Sequence, residues 1–188
     1  MKTALLIVDI QNDYFPGGKG ELEGPLEAGA KARQLLQCFR EHKQPTVHIQ
    51  HLSTRPGATT FLPGTEGANI HDSVAHFEGE PLVQKHFPNS FRETNLLDLL
   101  KNWEVERVIV CGMMTHMCVE ATSRAAADLG FQLIVASDAC ATRALTFGGT
   151  TISAEYVHKA FLAGLKSYGQ VMTVEEIITH LAMEMAKS

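Results

Sequence analysis

Val108-Ile109-Val110-Cys111 is a β-branched apolar run that breaks at Gly112, and the residues after it follow a helical pattern. Val119, Thr122, Ala126 and Leu129 recur at i, i+3 and i+7 spacings, one face of a helix. A strand that turns directly into a helix commits this part of the chain to an α/β arrangement. Thr115 stands at the junction as the expected N-cap. Cys118 would then sit at about N3, among free backbone N–H groups and the positive end of the helix dipole. A thiol in that position is expected to have a lowered pKa and to act as a nucleophile. The alternative is a small buried hydrophobe with no chemistry.

The rest of the chain repeats the alternation of strand and helix. Ala4 to Val8 is a continuous apolar run, as for a strand buried on both faces of a parallel sheet. It ends at Asp9, followed by a turn-rich loop through Asp13 and Pro16-Gly17-Gly18. Leu26 to Glu41 reads as a helix, with Leu35, Leu36 and Phe39 on its apolar face. Thr46 to Leu52 reads as a strand, Pro81 to Lys85 as a short extended segment, and Thr94 to Trp103 as a helix with Leu96, Leu97, Leu99 and Leu100 in the core. Phe131 to Val135 is the next strand, running into a loop that carries Cys140. Thr151 to Ser167 reads as a helix with Val157, Phe161 and Leu165 inward. Gln170 to Thr173 is a last strand and Val174 to Ala186 a closing helix. This order predicts one domain over residues 1–188, an α/β fold with a doubly wound, mainly parallel sheet flanked by helices. Residues 53–80 interrupt the alternation with a Gly- and Pro-rich loop, long enough to suggest a lid or an interface arm.

Composition excludes several classes. A net charge of −5 with no Lys/Arg run argues against nucleic acid or an anionic membrane as partner. No apolar stretch is long enough to span a bilayer. The apolar run near the start is only five residues and ends at Asp9, unlike a signal peptide. Cys38, Cys111, Cys118 and Cys140 show neither a CxxC pair nor metal-finger spacing, so free thiols in the cytoplasm are expected. The histidines at 48, 51, 71 and 76 lack a carboxylate at a ligand-like interval, and no metal or other cofactor is expected.

In a doubly wound sheet the carboxyl ends of the strands share one edge, where ligands bind. Asp9, Lys85 and the Cys118 turn all fall at that edge. A carboxylate can take the thiol proton and later give it to a leaving amine. An ammonium can favour the thiolate and orient the carboxylate.

Leu6-Ile7-Val8-Asp9-Ile10-Gln11-Asn12-Asp13-Tyr14-Phe15, Lys85-His86-Phe87-Pro88-Asn89-Ser90-Phe91 and Cys111-Gly112-Met113-Met114-Thr115-His116-Met117-Cys118-Val119 occur in that order, with Ser137-Asp138-Ala139-Cys140-Ala141-Thr142 after them. From about residue 3 to 172 the chain resembles the isochorismatase-like cysteine hydrolases. The resemblance implies a Rossmann-like three-layer sandwich, with Asp9, Lys85 and Cys118 as the catalytic triad. It also implies a cis peptide between Met113 and Met114, with the Met114 and Cys118 amides as the oxyanion hole, and a homo-oligomer, dimer or tetramer. Members resembling true isochorismatases, which cleave a vinyl ether, generally lack the nucleophilic cysteine, so Cys118 implies C–N cleavage through a thioester. Nicotinamidase-like members hold a metal through an Asp-x-His near the second strand. Here that region reads His48-Ile49-Gln50-His51-Leu52, without the Asp.

The expected activity is hydrolysis of a small amide or ureido substrate. Phe15, Gln50, His51, Arg55 and His116 are candidates for the substrate pocket. Two other readings stay open: vinyl-ether cleavage of an isochorismate-like acid, for which Arg55 or Arg143 would supply charge, and an idle binding or thiol-redox protein on the same scaffold.

Overall fold

A computed structural model describes residues 1–186. Its main sheet has six strands: β1 (Thr3–Val8), β2 (Thr46–His51), β3 (Leu82–Lys85), β4 (Arg107–Met113), β5 (Gln132–Ala141) and, last in the chain, β8 (Gln170–Met172). They lie in the order β3-β2-β1-β4-β5-β8, and every neighbouring pair is parallel. All residues of β1 and β4 are buried. That is why both read as unbroken apolar runs rather than as alternation.

The helices cover both faces. α1 (Pro25–Glu41) and α5 (Val174–Met185) pack Leu35, Leu36, Phe39 and Ile177 against Leu5, Ile7 and Ile109. On the other face α2 (Leu96–Asn102), α3 (Glu120–Asp128) and α4 (Ala154–Leu165) pack Leu96, Leu100, Ala126 and Leu165 against Ala4, Leu6, Val8 and Val110. The mainly parallel sheet flanked by helices is as the sequence pattern predicts, and its three layers are as the family resemblance implies. Among the described residues, no helix is long and apolar enough to cross a membrane.

The chain winds outward from β1 through β2 to β3, then returns to β4 on the other side of β1. The switch point of the sheet therefore lies between the carboxyl ends of β1 and β4, where a crevice opens. The long loop after β2 brings Ser53, Thr54, Arg55, Thr60 and Phe61 to the wall of one cavity. It is the crossover that two parallel strands require, laid on the α1 face through Phe61, Ile70 and Val74. Its ends are pinned by polar groups: Phe61 N–H donates to Asp13 Oδ2 (2.6 Å), and Glu80 accepts from Arg40 Nε (2.6 Å) and pairs with His48 Nε2 (2.9 Å).

Four expectations need correction. Residues 150–152 do not begin a helix. Thr150–Ile152 (β7) pairs antiparallel with Leu145–Phe147 (β6) across the Gly148-Gly149 turn, and α4 starts after Ser153, whose hydroxyl accepts from Tyr156 N–H. The β-branched Thr150-Thr151-Ile152 triplet suits a strand better than a helix. Cys140 lies within β5, which runs on to Ala141, rather than in a loop. Leu129 is 44% exposed at the end of α3, and Leu97 and Leu99 are only half-buried. Thr115 does not cap the helix after β4, as described next.

Candidate active site

The chain leaves β4 through Gly112 and a cis Met113–Met114 peptide bond. Met114 is the N-cap of the turn that follows, and its carbonyl accepts from Met117 N–H at 3.0 Å and Val119 N–H at 3.2 Å. The second of these is an i→i+5 bond, so Thr115–Val119 forms a π-helical turn before α3 takes over. Thr115 sits inside that turn. Its hydroxyl donates to Ala141 O (3.3 Å) and lies 2.8 Å from His158 Nδ1. The side chain expected to cap the helix instead ties it to β5 and α4.

Asp9 follows β1 directly, fully buried and at φ 51°, a left-handed conformation that few non-glycine residues adopt. Lys85 ends β3, two strands away, and its Nζ reaches over β2 to lie 2.7 Å from Asp9 Oδ2. The same ammonium donates to Phe87 O (3.1 Å) and lies 3.2 Å from His51 Nδ1. Burial holds His51 at about 4, below its ordinary 6.5, so the ring is neutral and its Nδ1 accepts. Gln11 fixes His51 in turn, accepting from its backbone N–H (2.8 Å) and donating to its carbonyl (2.9 Å).

Neither Asp9 oxygen takes an aligned hydrogen bond among the described residues, although Lys85 stands beside one of them. Cys118 Sγ, an Asp9 carboxylate oxygen and a His51 ring nitrogen lie within 4.8 Å of one another. Burial first, then the Asp9 charge, hold the Cys118 thiol above its ordinary value, with Lys85 pulling the other way. The lowered thiol pKa expected from the helix dipole is therefore overturned. A dipole at a helix start is a fractional charge, whereas here the thiol is buried and faces a whole carboxylate charge. For Lys85 burial opposes the charge, but Asp9 and Cys118 outweigh it and keep the ammonium above its ordinary value.

Asp9, His51 and Cys118 are donor types that hold metals. The set does not fit a resident cation, because the Lys85 ammonium already lies against two of the three.

A cavity of about 320 Å³ opens above Cys118, walled by Tyr14, His51, Arg55, Phe61, Met114 and Arg143 among others. A buried, charge-paired thiol assembly beneath a cavity at a sheet switch point can attack an electrophilic carbon and move a proton to and from Asp9. A sequence profile of the isochorismatase domain matches residues 3–176. The chain belongs to the isochorismatase family.

It is 45% identical over 179 residues to the uncharacterized isochorismatase family protein YddQ of Bacillus subtilis, covering 95% of this chain and 99% of that one. A crystal structure of a protein from Oleispira antarctica, assigned as an isochorismatase hydrolase, superposes with a TM-score of 0.91 at 46% identity over 95% of this chain and 96% of that one. Nicotinamidase 3 of Arabidopsis thaliana is more distant, 31% identical over 146 residues, 74% of this chain and 73% of that one. As a member of this family the protein is a hydrolase.

The fold of this hydrolase brings Asp9, Lys85, Cys118, His51, Arg55 and Met114 to one place, and leaves three candidate pocket residues outside it. Phe15 points away and stacks on His71, ring centroids 3.5 Å apart, while its neighbour Tyr14 lines the cavity. Adjacent side chains in the short helical turn Asn12–Tyr14 and its exit diverge, which a sequence motif does not resolve. Gln50 is turned to the opposite face of β2 from His51; it donates to Ala68 O (2.9 Å) and accepts from Gln84 (2.9 Å). His116 is half-buried beside Phe161, with Nδ1 bonded to the Thr142 hydroxyl. Of the other histidines, His48 is committed to Glu80 and His71 to Ser73. Tyr14 is the wall residue the sequence reading missed. Burial, then Cys118 and Asp9, raise its hydroxyl well above the usual value, so it stays a neutral hydrogen-bonding group.

Proposed function

We propose that this isochorismatase-family hydrolase cleaves a C–N bond of a small amide or ureido substrate through a thioester on Cys118. The observation that carries the reading is the approach of the Cys118 thiol to the buried Asp9 carboxylate, within 4.8 Å, with Lys85 as the countercharge. Cys118 Sγ attacks the carbonyl carbon as its proton passes to Asp9. The C–N bond breaks as Asp9 returns that proton to the departing amine. Water, giving a proton to Asp9, then cleaves the thioester and frees the thiol. Lys85 supplies the countercharge to Asp9 and keeps it in place. The Met114 and Cys118 amides are assigned to the oxyanion that forms in each half-reaction. The relative named a nicotinamidase supports amide hydrolysis as the class of reaction.

No metal or other cofactor enters this scheme. Four free cysteines support a reducing compartment, which we take to be the cytoplasm. We also propose one domain and a homo-oligomer, dimer or tetramer. The oligomer reading is supported by the exposed apolar side chains Phe147, Ile152 and Tyr156 on the β6–β7 hairpin and the start of α4. Light scattering of the purified chain tests it, and a monomer at micromolar concentration overturns it.

The decisive experiment is turnover of a panel of small amides, ureido acids, nicotinamide and isochorismate by wild type and Cys118→Ala, with detection of ammonia, carboxylic acid and pyruvate. Amide or ureido turnover lost in Cys118→Ala is the expected result. Pyruvate release that survives the substitution overturns the thioester in favour of vinyl-ether cleavage. A thiol that cycles through oxidation with no turnover on any member points to the redox reading instead.

A further inference from the structure

The chain has seven arginines, and five of them hold a partner. Arg33 donates to the carbonyls of Ser73 and Asp72; Arg40 pairs with Glu80, Arg92 with Glu93, Arg107 with Glu184 and Arg124 with Glu120. The guanidinium groups of the other two, Arg55 and Arg143, have no hydrogen-bond or ion-pair partner among the described residues, and both residues line the cavity above Cys118. They come from separate segments. Arg55 lies in the crossover after β2, where its charge acts on His51, and Arg143 lies between β5 and β6, where its charge acts on Tyr14 and His116.

The charge balance of the cavity makes this pairing informative. No Asp or Glu lines its wall. Asp9 beneath it is already matched by Lys85. Two guanidiniums are therefore left without countercharge at one concave site, on a chain whose net charge is −5. Arginine left free in a cleft presents a planar fork suited to a carboxylate, and walls of low dielectric concentrate the field of both.

We infer that the substrate is a small amido or ureido acid whose carboxylate is held by Arg55 and Arg143 while its carbonyl faces Cys118. The two arginines select an anion over a neutral amide of the same size. This rests on the C–N hydrolase reading above, and the following test separates the two.

Iodoacetate and iodoacetamide alkylate the same thiol and differ in one charge. Their rates at Cys118 are followed at pH 8 by mapping the modified peptide by mass, in wild type and in Arg55→Met/Arg143→Met. The ratio of the iodoacetate rate to the iodoacetamide rate cancels the intrinsic reactivity of the thiol. That ratio is expected to fall roughly tenfold in the double variant, and to fall with added salt in wild type. Lys101→Met/Lys159→Met removes the same charge elsewhere on the surface and is expected to leave the ratio unchanged. A ratio that does not respond to Arg55 and Arg143 overturns the anion site while leaving the thiol reading intact. Turnover of N-carbamoylglycine that survives Cys118→Ala overturns the nucleophile reading and leaves the anion site to stand or fall on the ratio alone. With N-carbamoylglycine as substrate the double variant is expected to raise KM at least tenfold with little change in kcat, and an unchanged KM overturns the inference.

Discussion

Lys85 Nζ and Asp9 Oδ2 stand 2.7 Å apart with both side chains withdrawn from solvent, although β2 separates the strands that carry them. The ammonium also contacts His51 Nδ1 at 3.2 Å and Phe87 O at 3.1 Å. Lys85→Met leaves a buried carboxylate without a countercharge, which costs about 3–5 kcal/mol. Urea denaturation should show a loss of that order together with loss of turnover. Asp9→Asn/Lys85→Met should recover much of the stability and none of the activity. A double variant as unstable as the sum of the singles would mean that the two residues do not act as a pair.

Asp9 raises the Cys118 thiol pKa and is also assigned as its base. These two roles predict opposite responses to Asp9→Asn. The thiol pKa should fall, read as the pH dependence of thiolate absorbance relative to a Cys118→Ala background. Turnover should drop by roughly 10²- to 10⁴-fold because the proton acceptor is gone. In wild type no thiolate from Cys118 should titrate below pH 9.

The Arg40–Glu80–His48 cluster that closes the crossover makes stability fall in acid. Burial holds His48 at about 4 against an ordinary 6.5, despite Glu80 beside it. The unfolded chain therefore takes up this proton first as pH falls through 6.5, and stability is lost between 6.5 and 4. Glu80 is pushed up by partial burial, but Arg40, the Phe77 amide and His48 hold it at about 2, below its ordinary 4.5. Its contribution is complete above 4.5 and disappears from there down to 2. Denaturation at pH 7 and pH 4.5 should show His48→Gln losing on the order of 2–3 kcal/mol less than wild type over that interval.

Gly112 is at φ 131°, and a Cβ there would lie 1.9 Å from Val8 O in the backbone of β1. That pairing of β1 with β4 at the centre of the sheet cannot open cheaply. Gly112→Ala should cost about 4 kcal/mol or more, read as lost soluble yield and a lowered Tm. Gly164 in α4 meets nothing within 4 Å, so Gly164→Ala should be neutral or stabilise by up to about 1 kcal/mol.

The strands and the helix faces were legible in the sequence because each is a local repeat. Leu5 and Ile7 face α1 and Leu6 and Val8 face the other layer, and the continuous apolar run records a strand buried on both faces without reference to the rest of the chain. Asp9 and Lys85 were legible as strand-end residues, and Cys118 as part of the turn after a strand, for the same reason: where a strand stops is written in its own residues. Their meeting was decided by strand order, since Lys85 reaches Asp9 only with β2 lying between β3 and β1. The tertiary structure alone chose Tyr14 over Phe15, turned Gln50 from the cavity and tied Thr115 to His158. It also reversed the direction of the Cys118 pKa. Those outcomes depend on neighbours that arrive through space from distant parts of the chain, and on how completely they exclude water, which no local pattern encodes.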